Sequence, residues 1–220
     1  MSNNRDVKQL SMNFLLDCAF GQHEDLITAA IDKAYGDMAA HTLKVFKKEE
    51  YNEKWACRYN ATRIIRDSLE NYPQNEATFK DWHEKVIVEI KKQYTSRLQD
   101  GQAQKWLNMT IKYIFVLKEI LGEDDERLIC IRDFISHTDE RDYFAPIDSY
   151  ILKGADIKIE KTWSSMDSED TKRLRESLGE EKDFLWEMES WGEFAKEYKE
   201  NAKESYATYI LNTEKELIKK

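Results

Sequence analysis

The chain has 220 residues with 41% hydrophobic and 12% aromatic side chains, which is enough apolar material for a buried core and excludes a disordered chain. A formal charge of −9 argues against a protein that coats nucleic acid nonspecifically, and only 7 Gly and 2 Pro leave few breaks between helices. The composition predicts an all-α fold in one domain over 1–220, with residues 160–220 forming a C-terminal helical layer.

Apolar residues recur at helical spacing in segments near 5–20, 24–47, 49–71, 77–98, 103–121 and 125–136. Pro73 stops the third helix, and Thr78 or Asn75 is placed to cap the fourth. The chain turns again at Gly122-Glu123-Asp124-Asp125, and Ser136 to Pro146 reads as a polar surface loop. Ala155 to Lys161 is the one candidate strand. A last helical pattern runs from about 168 to 217, broken near Gly179 and Gly192, and carries Trp186, Trp191, Tyr198, Tyr206 and Tyr209. With Trp163, these aromatics read as anchors of a C-terminal layer.

Cys18, Cys57 and Cys130 are widely spaced and form no C-x-x-C unit, so they read as buried thiols in a reducing cytoplasm. The N-terminus lacks a signal-peptide pattern and no apolar run reaches bilayer length, so the expectation is a cytoplasmic protein with no membrane association. His23, His41, His83 and His137 form no paired metal motif and read as surface or capping residues, so neither a metal nor a cofactor is expected. Charge is uneven along the chain. From Lys85 to Lys118 there are seven basic residues against two acidic ones, a local excess that either meets a phosphate backbone or lines a solvated helix face.

That basic stretch contains DGQAQKWLNMTIKY, residues 100–113, where Gly101 is read as a turn before an apolar helix with Lys105 near its start. Free backbone amides at such a helix start would suit a phosphate. Lys105 is open to three readings: a partly buried lysine paired with an acid, a phosphate contact, or a nucleophile. Asn108 and Lys112 follow at i+3 and i+7, suiting a polar pocket wall or a solvent edge. Further on, FAPIDSYIL places Asp148 at the entry of another apolar helix, where an N-cap role is the simplest.

Together these two segments resemble the helix-hairpin-helix DNA glycosylases, the superfamily of endonuclease III and the archaeal 8-oxoguanine glycosylases. That family's hairpin reads L-P-G-V-G-x-K-T-A, and a later segment reads P-V-D-T-H-V. Leu98-Gln99-Asp100-Gly101-Gln102-Ala103-Gln104-Lys105 keeps the glycine-to-lysine spacing, and Pro146-Ile147-Asp148-Ser149-Tyr150-Ile151 matches the second segment except at the histidine. Ala103 stands where the family has its second hairpin glycine, and the proline is absent. The resemblance spans roughly residues 96–153.

It implies a compact multi-helix bundle of glycosylase type that acts on DNA, excising a damaged or modified base. Lys105 would be the Schiff-base nucleophile and Asp148 the carboxylate assisting it. Gly101, Gln104, Trp106, Asn108, Lys112 and Tyr113 would contact the nucleic acid, with Trp106, Tyr113 or Trp163 stacking on the extruded base. Lys105 and Asp148 are then expected to face one cleft. The alternatives are a noncatalytic nucleic-acid or nucleotide-binding module, and a domain whose acidic, aromatic C-terminal layer docks a protein partner.

Overall fold

The computed structural model describes residues 7–21, 25–38, 43, 46–74, 78–95, 97–179, 181–193 and 196. The regular elements among the described residues are all helical, with no strand among them. The helices are α1 (Val7–Phe20), α2 (Leu26–Asp37), α3 (Tyr51–Glu70), α4 (Phe79–Gln93), α5 (Asp100–Leu121), α6 (Arg132–His137), α7 (Ser149–Gly154) and α8 (Ser168–Leu178). A further helix, α9, covers 184–193. Tyr198, Tyr206 and Tyr209 lie outside the described residues, as do His23, His41 and Asn75.

Local chemistry accounts for several helix starts. Thr78 caps α4, its hydroxyl accepting from the amide of Asp81 at 3.2 Å, while the Asp81 carboxylate reaches back to Thr78. Phe79, Trp82, His83, Val86, Ile87 and Ile90 then fall on the buried face of α4 at helical spacing. Asp25 caps α2 in the same way, accepting from Ile27 and Thr28.

α5 is the axis of the fold. Each residue from Asp100 to Asn108 is buried, because α2, α4, α8 and the 163–165 turn all pack around its first half. Trp106 is fully buried, its indole N–H donating to the Ile31 carbonyl of α2 at 3.0 Å with the Tyr35 ring edge-on at 4.9 Å. A second aromatic nest gathers Phe79, Trp82, Phe134, Tyr143 and Phe144 between α4, α6 and the segment that follows α6. A smaller apolar cluster joins Ile147, Ile151 and Leu152 to Met166, Leu174 and Leu178, with Trp163 and Trp186 packed against it.

Four expectations are corrected here. Segment 136–146 is not a surface loop: Ser136 and His137 end α6, and in the irregular backbone that follows Thr138, Tyr143 and Ala145 are buried, with the Tyr143 ring stacked on Phe134. Residues 155–161 form a turn and irregular backbone rather than a strand. Cys18 and Cys130 are exposed, and only Cys57 is buried. His83 is neither a surface nor a capping residue: it lies wholly inside the core.

Candidate functional site

The start of α5 differs from the expected hairpin. The helix begins at Asp100, so Gly101 is its second residue rather than part of a turn before it. The Gly101 amide donates to the Met166 carbonyl at 3.1 Å, and a Cβ on Gly101 would overlap the carbonyl oxygen of Trp163. Glycine is required there by the close approach of another backbone, not by a left-handed conformation. The amides of Gln102 and Ala103 both bond to the Gln99 carbonyl, at 3.2 and 3.0 Å. These three donors of the first turn are therefore satisfied within the chain, and Gly101 offers no free amide to a phosphate.

Lys105 and Asp148, 43 positions apart, meet with Nζ 2.6 Å from Oδ2. Asp148 divides its carboxylate: Oδ1 accepts from the amides of Tyr150 and Ile151 at 2.8 and 3.1 Å as the N-cap of α7, and Oδ2 accepts from Lys105. The two side chains are only 10% and 13% exposed, so the pair is shielded from bulk water. The Lys105 ammonium also stands 4.8 Å from the centre of the Trp163 ring, a cation–π contact.

Helix neighbours of Lys105 fix where Asp148 sits. The Gln104 side chain donates to the Ile147 carbonyl at 2.8 Å and accepts from the Ile147 amide at 3.3 Å, gripping the residue before Asp148 on both sides. Asn108, one turn further, donates to Gln104 Oε1 at 2.9 Å and to the Ala145 carbonyl at 3.3 Å. Its own oxygen accepts from His83 Nε2 at 2.6 Å. Burial pushes the His83 pKa down to about 3, the nearby Arg175 charge acting in the same direction, so the ring is neutral at physiological pH. Its Nδ1 is buried without a partner among the described residues. Gln104 and Asn108 thus serve as scaffold, with their polar atoms committed to the protein.

The Lys105–Asp148 pair lies on the wall of a cavity of about 340 Å³, at the lower end of the roughly 300–1,000 Å³ typical of small-molecule clefts. Met109, Lys112 and Tyr113 of α5 continue the wall, joined by Asp37 at the end of α2, Tyr150 of α7, and Glu187 and Trp191 of α9. Lys112 donates to both oxygens of Glu187, at 2.8 and 2.6 Å. Burial holds the Glu187 carboxyl above its usual range, with Asp148 pushing the same way against Lys112 and Lys105. The Tyr113 hydroxyl donates to Asp37, and burial followed by that contact raises its pKa. Trp191 is 52% exposed at the rim.

Of the residues read from the sequence, Lys105, Asp148, Lys112 and Tyr113 share this cavity. Trp106 does not: with no exposed surface it cannot stack on a base, and its place is structural. Asp37, Tyr150, Glu187 and Trp191 are additions the sequence reading missed. Glu187 and Trp191 carried one signal, an i, i+4 spacing that puts both on one helix face.

The basic stretch is also corrected. Six of its seven cations have carboxylate partners: Lys91 with Asp100, Lys92 with Glu89, Arg97 with Glu50 and Glu53, Lys105 with Asp148, Lys112 with Glu187, and Lys118 with Glu123. The local charge excess in sequence is therefore largely neutralised in space. Among the described residues no helix is long and apolar enough to cross a membrane. Compared with protein-family models, with curated proteins and with solved structures, the chain gives no match.

Proposed function

We propose that the chain is a DNA glycosylase-like enzyme that releases a damaged or modified base through Lys105 and Asp148. The observation that carries this reading is the 2.6 Å approach of these two residues, 43 positions apart, on a cavity wall with Tyr113, Tyr150 and Trp191 alongside. In this chemistry Nζ sheds a proton to Asp148, its nearest acceptor, and its lone pair forms a bond to C1′ of the sugar. The bond from C1′ to the base breaks, and the base leaves with the bonding electrons and takes up a proton. Opening of the sugar ring then leaves an imine on Lys105 that borohydride reduces to a stable amine. Trp191, exposed at the rim, and Tyr113 supply aromatic surface for the extruded base.

A second reading is favoured by the carboxylates that neutralise the α4–α5 cations: a noncatalytic module for a nucleoside or nucleotide, in which Lys105 and Asp148 form a fixed ion pair. One experiment separates the two. Borohydride trapping and base release are measured on a panel of damaged and modified duplexes, with the wild type, Lys105→Ala and Lys105→Arg. The enzyme reading expects a trapped product from the wild type alone, since arginine keeps the charge without a usable amine. Base release that persists in Lys105→Ala excludes Lys105 as the nucleophile. Ligand affinity without trapping or release in the wild type selects the binding module.

A further inference from the structure

A second cavity, of about 710 Å³, lies where α8 meets residues 141–145 and 182–183, and shares no lining residue with the Lys105 cavity. Arg175 and Lys182 both line it. The Arg175 guanidinium stacks 4.1 Å from the centre of the Phe144 ring. Its Nε is buried without a hydrogen-bond partner, and among the described residues no carboxylate comes within ion-pairing distance of it. That is unusual in this molecule, where Arg58, Arg66, Arg97 and Arg127 each hold an acid. Lys182 sends its ammonium to the Ala155 carbonyl at 3.1 Å and likewise meets no described carboxylate.

A cation taken out of water without a countercharge is costly, and a cavity beside it gives a countercharge somewhere to sit. Burial pushes the Arg175 pKa down only to about 10, and Glu84 is the acid whose charge opposes that fall, so the group stays charged at neutral pH. We propose that this cavity binds the phosphate monoester of a small molecule, with the Arg175 fork and the Lys182 ammonium on the phosphate and Ala145 and Leu178 against its apolar part. Two unmatched cations suit a phosphate dianion better than a singly charged carboxylate. Glu176, exposed, and Asp183, whose Oδ1 accepts from the Trp186 amide at 2.8 Å, add negative charge at the edge and disfavour a long polyanion. The site stands independently of the glycosylase reading.

The test is calorimetric titration of the full chain with adenosine 5′-monophosphate, inorganic phosphate, adenosine and a short DNA duplex. Adenosine monophosphate and phosphate are expected to bind, with adenosine at least about tenfold weaker than its monophosphate, as loss of charge-assisted hydrogen bonds implies. Arg175→Met and Lys182→Gln are each expected to weaken the monophosphate by about tenfold or more. Circular dichroism checks that each variant is folded, and the half-buried Lys182→Gln decides the matter alone if Arg175→Met is not. The proposal is overturned if neither phosphate compound binds at millimolar concentration, or if both substitutions leave the affinity as it was. It is also overturned if the substitutions weaken the duplex alone, which would assign the contact to a strand phosphate.

Discussion

At the Lys105 cavity each ammonium group has its own carboxylate, Asp148 for Lys105 and Glu187 for Lys112, whereas at the second cavity Arg175 and Lys182 have none among the described residues. Both places bury cations; they differ in where the balancing charge comes from. In the first it belongs to the fold, so removing either partner strands the other inside the protein. In the second no described carboxylate pairs with either cation, Glu84 acting on Arg175 only from beyond ion-pairing distance, so removing the cation relieves a cost unless a ligand is present.

The largest expected effect tests the first half of that contrast. Lys112→Met leaves the Glu187 carboxylate, 2% exposed, without its partner, and is expected to cost about 3–5 kcal/mol in urea denaturation. Lys112→Met combined with Glu187→Leu should recover most of the loss, and a double variant no better than the single one breaks the comparison. Next is the joint that holds Trp163 beneath Lys105. Gly101→Ala forces a methyl group into the Trp163 carbonyl and is expected to cost roughly 1–3 kcal/mol, seen as a lower melting temperature with altered tryptophan fluorescence.

A smaller effect follows from His83. Its folded pKa, about 3, lies below the unfolded 6.5, so the unfolded chain binds more protons between those values and stability falls as pH drops through that window. Between pH 6.5 and 5, above the range of most carboxylates, the loss approaches ~1.4 kcal/mol per pH unit at its steepest. Thermal melts should show that slope in the wild type and a flatter one in His83→Gln, which can still donate to Asn108. The smallest effect sharpens the second half of the contrast. Without ligand, Arg175→Met should change stability by no more than ~1 kcal/mol or raise it slightly, measured beside Lys112→Met in the same titration. A loss as large as that of Lys112→Met would mean that Glu84 balances Arg175 as fully as Glu187 balances Lys112.

Helical periodicity and scarce breakers sufficed to read the all-α class from the sequence, because an amphipathic stripe such as that of α4 is a local pattern that survives without knowledge of its partners. The same holds for the caps, since Thr78 and Asp148 act on amides within three residues of themselves. Lys105 and Asp148 were legible as a pair through the resemblance of their two segments to one family. What the sequence did not contain is which face of α5 each residue takes once four elements close around it. Trp106 next to Lys105 turns into the core, Gln104 and Asn108 turn toward 145–147, and Glu187 and Asp37 arrive from helices distant in sequence. Charge behaved in the same way. The seven basic residues between 85 and 118 form a patch in sequence, yet Glu50, Asp148 and Glu187 come from elsewhere to neutralise part of it, while Arg175, which nothing in its local sequence distinguishes, has no ion-pair partner among the described residues. A residue's type and spacing are set along the chain. Its countercharge and its exposure depend on long-range packing, and those only the tertiary structure decided.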